Sequence, residues 1–182
     1  MPARNVILMG YRGCGKTCVG REVGRRLGWR FVDTDELIET AAGRCIREIF
    51  AQEGEGHFRA LERRVIAQVA AKRGQVIAVG GGAVLSANNR TALRRAGVCI
   101  WLTAPATELH RRMQGDPRSG GTRPALTARG GLAEVRHLLA QRRPLYAELA
   151  DHVVPTRARS IAQVATAVLK AVAKDGVRPD EP

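Results

Sequence analysis

The sequence predicts an α/β fold, a three-layer arrangement in which a five-stranded parallel sheet lies between helices. Three observations carry that expectation. Five short apolar runs alternate with helical patterns along almost the whole chain. The run Val76-Ile77-Ala78-Val79 is apolar without a break, as in a strand covered on both faces. Glycines or carboxylates follow the first three runs at once, the usual place for ligand-binding loops in open α/β sheets.

The elements follow in order. Asn5 to Met9 reads as the first strand, and Lys16 to Leu27 as a helix reached through a glycine-rich loop. Arg30 to Asp33 reads as the second strand. Glu36 to Ala42 carries Leu37, Ile38 and Ala41 at helical spacing, and Phe58, Leu61, Val65 and Val69 mark one face of a longer helix. Strands are expected at Val76–Val79, Val98–Leu102 and His152–Val154, and helices at Asn89–Ala96, Ala106–Met113, Leu132–Leu149 and Ile161–Ala173. The stretch from Gln114 to Gly131 breaks the rhythm with crowded Gly, Pro and Arg, which predicts a mobile basic loop. Residues 1–174 therefore read as one domain, and 175–182, polar with two prolines, as a disordered tail.

Composition narrows the class. A chain of 182 residues suffices for one ordinary domain. No apolar run approaches the roughly 18–20 residues of a membrane span, and the start lacks the apolar core of a secretory signal, so a cytoplasmic protein with no membrane partner is expected. Cys14, Cys18, Cys45 and Cys99 show neither zinc-ligand spacing nor a disulfide framework, and small buried thiols are the expectation for Cys14 and Cys18. The net charge of +13 raises the possibility of nucleic acid as a partner. Against it, 26 of the 30 cationic residues are Arg spread along the chain, with no interleaving of aromatic and basic residues; no nucleic-acid partner is expected.

Gly10-Tyr11-Arg12-Gly13-Cys14-Gly15-Lys16-Thr17 matches G-x-x-x-x-G-K-[ST] between a predicted strand and a predicted helix. Such glycines let successive backbone N–H groups face one anion, and the dipole of the following helix favours negative charge there. A nucleoside triphosphate is the expected ligand, cradled by Gly13, Cys14, Gly15, Lys16, Thr17 and Cys18, with Lys16 against the β and γ phosphates and the Thr17 hydroxyl on Mg²⁺. Asp33-Thr34-Asp35 follows the second strand and puts two carboxylates beside this loop. One is expected to face Mg²⁺ and its waters and the other a substrate hydroxyl; a helix cap by Thr34 or Asp35 is the structural alternative.

Five pieces in order then resemble the shikimate kinases: the phosphate loop, Asp33-Thr34-Asp35, Phe58-Arg59 with Glu62, Gly80-Gly81-Gly82-Ala83-Val84, and Arg123-Pro124-x-Leu126 followed by Arg142-x-Pro144-Leu145-Tyr146. The resemblance spans roughly Asn5 to Val172. It implies ATP-dependent phosphorylation of shikimate to shikimate 3-phosphate in aromatic amino-acid synthesis, with Mg²⁺ required. It also implies that Asp35 binds ring hydroxyls and accepts the proton of the attacking one, and that Asp33 holds Mg²⁺ through water. Arg59 and Arg142 would grip the substrate carboxylate, Gly80, Gly81 and Gly82 would admit the substrate closely, and Glu62 would orient Arg59.

By the same resemblance the loop at about 114–131 is a lid that delivers Arg123 to the ATP γ-phosphate, with Lys16 and Asp35 as its catalytic companions. Arg112 or Arg118 would lie against the adenine, near a loop at Thr156–Ser160, while Pro144 and Tyr146 would pack so as to aim Arg142. The lid departs from the usual Arg-Pro-Leu-Leu, reading Arg123-Pro124-Ala125-Leu126. A gluconate or nucleotide kinase of the same fold, and a nucleic-acid-binding protein switched by ATP, are the rival readings. A monomer is expected, because a site of this kind needs no second chain.

Overall fold

The computed structural model describes residues 4–116 and 131–178. Five strands form one parallel sheet in the order β2-β3-β1-β4-β5: β1 (Asn5–Met9), β2 (Arg30–Asp33), β3 (Gln75–Ala78), β4 (Gly97–Thr103) and β5 (His152–Pro155). Ile7 of β1 sits in register between Ile77 of β3 and Cys99 of β4. The helices are α1 (Lys16–Leu27), α2 (Thr34–Ala42), α3 (Ile46–Ala70), α4 (Ala87–Ala96), α5 (Ala106–Gln114), α6 (Gly131–Leu149) and α7 (Ile161–Ala173), with a 3-10 turn at Ala83–Leu85.

Period-two alternation divides the sheet between two cores. Val6 and Leu8 of β1, with Val98, Ile100 and Leu102 of β4, face Val19, Val23 and Leu27 of α1 and Val164, Val168 and Val172 of α7. Ile7 and Met9, with Cys99 and Trp101, face Ile66 and Val69 of α3, Leu93 of α4, and Tyr146 and Leu149 of α6. Burial on both faces explains why the central strands lack polar alternation in the sequence. A third cluster joins Ile38 of α2 to Ile46, Ile49, Phe58, Leu61 and Val65 of α3.

Several expectations are corrected by packing. The second helix starts at Thr34 rather than Glu36, because Asp33 is its cap: Asp33 Oδ1 accepts the Asp35 N–H at 3.0 Å, so neither Thr34 nor Asp35 plays that part. Helix α3 extends back to Ile46 and is bent at Gly54, whose φ of 79° is non-helical. That break resets the phase of its apolar face and hides the first half from a periodicity count. Helices α4, α5 and α6 each exceed their predicted spans by a residue or two at one end.

The tail expected to be disordered from Asp175 begins with packed residues. Gly176 turns the chain at φ 79°, Val177 is 5% exposed within the first core, and Asp175 Oδ2 lies 2.6 Å from His152 Nε2. Residues 179–182 lie outside the described residues, as do 117–130, which hold Arg118, Arg123 and most of the expected lid. Cys14 is buried as expected but Cys18 is exposed. No helix among the described residues is long and apolar enough to cross a membrane.

Candidate active site

The carboxyl ends of β1, β2 and β3 converge on one region, and each delivers a different chemistry. After β1 the phosphate loop turns through Gly13 and Gly15, with φ of 78° and 95°, a backbone that side chains with a Cβ rarely adopt. Gly15 caps α1, so the first N–H groups of that helix open into the loop. Lys16, the first residue of α1, folds its ammonium back over the loop and donates to the carbonyls of Gly10 at 2.9 Å and Tyr11 at 3.1 Å.

After β2, Asp33 bridges two elements. Its Oδ2 accepts from Thr17 Oγ1 at 2.9 Å while Oδ1 caps α2. A hydroxyl and a carboxylate so joined form a hard-oxygen pair, the donor type that suits Mg²⁺ retaining waters and taking phosphate oxygens. Thr34 between the two aspartates is fully buried and accepts the Gly80 N–H at 3.2 Å, which ties the end of β2 to the glycine loop after β3. The sequence reading gave Thr34 no such part, and its place in Asp-Thr-Asp is the only signal for it.

A pocket opens beside the phosphate loop. Asp35, Arg59, Glu62, Arg142 and Gly80 to Gly82 line it, and Ile46, Phe50 and Phe58 form an apolar wall. Phe50 and Phe58 pack with ring centroids 4.7 Å apart. The two carboxylates converge on Gly80: a Cβ there would lie 2.8 Å from Asp35 Oδ1 and 3.1 Å from Glu62 Oε1. At Gly82 a Cβ would lie 2.6 Å from Arg59 Nη2, so the glycine leaves room for the guanidinium. Gly81 would meet only ordinary contacts, including the Arg12 backbone nitrogen at 3.5 Å, and it marks where the glycine loop touches the phosphate loop.

Arg59 is held from two sides. Its Nη1 donates to Glu62 Oε2 at 2.9 Å, the orienting pair expected one helical turn away, while Nε and Nη2 reach Glu55 Oε1 at 3.2 and 3.0 Å. Burial raises the Glu62 carboxyl above its usual range, against the opposing pull of Arg59. Arg142 is 5% exposed and lies over the Tyr11 ring, 5.6 Å from its centroid. Tyr146, fully buried, donates its hydroxyl to the Gly81 carbonyl at 2.6 Å and stacks on Trp101. Burial pushes the Tyr146 phenol well above its ordinary value despite the nearby Arg142 cation, so it remains a neutral donor.

Arg112 anchors the opposite rim. Nε meets Glu108 at 2.9 Å, Nη1 meets Thr156 Oγ1 at 3.0 Å and Gly13 O at 3.4 Å, and Nη2 meets Thr156 O at 3.2 Å. The structure thus joins the phosphate loop to the loop after β5. Sequence reasoning missed Arg12, Ile46, Phe50, Glu55 and Glu134 at or beside the site. Arg12 stood inside the phosphate motif, but nothing in spacing pairs it with Glu134, 122 residues away.

The sequence model of the shikimate kinase family matches residues 12–173. A shikimate kinase of Symbiobacterium thermophilum is 45% identical over 174 residues, covering 96% of this chain and 99% of that one. A protein named shikimate kinase 2 from an Enterobacter species is 46% identical over 149 residues, 82% of this chain and 84% of that one. The structure of the Acinetobacter baumannii shikimate kinase in complex with shikimate superposes with a TM-score of 0.89 at 33% identity, covering 97% of this chain and 96% of the other. Likeness in sequence and in fold runs from the phosphate loop to the last helix, and the chain belongs to the shikimate kinase family.

Proposed function

We propose that this protein transfers the γ-phosphoryl group of ATP to a ring hydroxyl of shikimate, giving shikimate 3-phosphate and ADP in the route to the aromatic amino acids. One observation carries the reading: a pocket lined by the carboxylates Asp35 and Glu62, the latter paired with Arg59, and by Arg12, Arg59 and Arg142 adjoins a phosphate loop. Guanidinium forks match a carboxylate in a planar two-bond geometry. The substrate carboxylate docks at Arg59 and Arg142, and Arg59 meets it by sharing or releasing the exposed Glu55.

With the acid end fixed, Asp35 receives the ring hydroxyls and takes up the proton of the attacking oxygen. Gly80 and Gly82 keep Asp35, Glu62 and Arg59 unobstructed, and Gly81 is held by Tyr146. ATP lies along Gly13 to Cys18, with Lys16 exchanging its loop carbonyls for the β and γ phosphates. Thr17 and Asp33 are the residues that fit Mg²⁺, Asp33 through water; the ion would neutralise charge on the transferred group. Arg123, assigned to the γ-phosphate, lies outside the described residues. Arg112, bound to both Gly13 and Thr156, is assigned to the adenine, and Arg118 lies outside the described residues. A cytoplasmic monomer is the working unit proposed.

The test is ADP release from ATP and Mg²⁺ with shikimate, gluconate and nucleoside monophosphates offered separately. Turnover with shikimate alone is expected; turnover with gluconate or a nucleotide instead would overturn the acceptor. Asp35→Asn should lower kcat by about 10²- to 10⁴-fold while ATP affinity stays within about twofold.

A further inference from the structure

We infer that Arg12 is a further substrate-contacting residue, one whose guanidinium meets the phosphoryl group as it passes from the phosphate loop to the acceptor pocket, with Glu134 holding it in place. The inference rests on the phosphoryl-transfer reading above, though not on which acceptor is used.

Position is the first support. Arg12 belongs to the loop that binds phosphate, yet it lines the acceptor pocket together with Asp35 and Arg142. Its backbone nitrogen borders Gly81, where the two loops touch. A group moving from one loop to the other crosses this seam. The second support is an orphaned donor: the Arg12 side chain is 14% exposed, and its Nε–H is buried with no hydrogen-bond partner among the described residues. Buried donors are almost always satisfied, so an unpaired one in a residue that lines a pocket points to an acceptor brought by a ligand.

The third support is the anchor. Arg12 Nη2 meets Glu134 Oε1 at 3.4 Å, and Glu134 is only 5% exposed on its side chain. One long contact at one fork nitrogen restrains the guanidinium and leaves its other N–H groups for a second anion. The carboxylate of the acceptor already has Arg59 and Arg142, whereas a phosphoryl group in flight spreads charge over three oxygens and gains from each fixed cation beside it.

Arg12→Met, Arg12→Lys and Glu134→Gln test this. Arg12→Met should lower kcat by about 100-fold with the KM for shikimate within about threefold, because the contact forms only as the phosphoryl group moves. Arg12→Lys should recover only part of the rate, since a point charge replaces a fork. Glu134→Gln should give a smaller fall in kcat without a change in either KM. Calorimetric binding of ADP with aluminium fluoride separates this inference from the choice of acceptor. Wild type should bind that phosphoryl mimic at least tenfold more tightly than Arg12→Met does, while ADP alone binds both equally. Folded Arg12→Met with full kcat and unaltered binding of the mimic would overturn the inference, as would a loss confined to the KM for shikimate. Should Arg12→Met fail to fold, an unchanged kcat in both Arg12→Lys and Glu134→Gln would overturn it equally. Wild type silent toward shikimate but sensitive to Arg12→Met in binding the mimic would refute the acceptor and leave the Arg12 contact standing.

Discussion

Removing the Tyr146 hydroxyl separates what holds the glycine loop from what fills the core. Tyr146→Phe keeps the ring stacked on Trp101 and deletes the 2.6 Å bond to the Gly81 carbonyl in a fully buried setting. The lost bond contributes about 1 kcal/mol, and desolvation of a carbonyl deprived of its donor adds a similar amount, so about 2 kcal/mol is the expected loss of stability. In a chain of this size 1 kcal/mol moves the melting point by about 2–4 °C, which predicts a fall of about 4–8 °C. The freed Gly81 also lines the acceptor pocket, so the KM for shikimate should rise about three- to tenfold while the KM for ATP stays unchanged. Differential scanning fluorimetry and steady-state kinetics read both quantities. A melting point within about 1 °C of wild type with an unchanged KM for shikimate would refute the argument that this hydroxyl positions the loop.

Arg142→Lys should raise the KM for shikimate by about 10- to 100-fold, because the buried site loses a bidentate partner for a carboxylate; an unchanged KM would remove Arg142 from substrate binding. Gly82→Ala should leave the melting point nearly unchanged, since its backbone φ of −96° suits alanine, yet the new Cβ would displace the flexible end of Arg59 and raise the KM for shikimate about tenfold. Equal kinetics with wild type would show that Arg59 has another productive position. Glu108 is held down at about 2 by hydrogen bonds from Arg111 and then Arg112. Its folded value lies below the unfolded one, so its stabilisation is complete above about 4.5 and is lost as pH falls toward about 2. Glu108→Gln should therefore flatten the fall in melting point between about pH 5 and pH 3, and identical slopes would show that this pair is solvated away.

What the sequence made legible follows from how local each feature is. The inner strands were readable because burial on both faces writes an unbroken apolar run, and the phosphate loop because its glycines and Lys16 act through neighbours in the chain. Asp35, Arg59 and the three glycines were readable through resemblance rather than geometry. Helix α3 was half hidden because Gly54 interrupts its period, and Val177 was hidden because a single apolar residue in a polar tail gives no pattern. Thr34, bonded to Gly80, and Arg12, bonded to Glu134, depend on separations of 46 and 122 residues that only the fold brings together.

The Arg12 contact belongs to a helix that serves the whole site. Glu134, Arg142 and Tyr146 lie eight and four residues apart on α6, which puts them within an arc of about 120° that faces the site. The first of them holds Arg12 of the phosphate loop, the second lines the acceptor pocket, and the third holds Gly81. Val135 and Leu138 fix the start of the same helix in one core while Tyr146 and Leu149 fix its end in the other, which ties its position to both faces of the sheet. Helix α6 thus sets the phosphate loop, the acid grip and the glycine loop in a common frame. Phosphoryl transfer gains mainly from positioning, and a frame anchored in two cores is a physical means of supplying it.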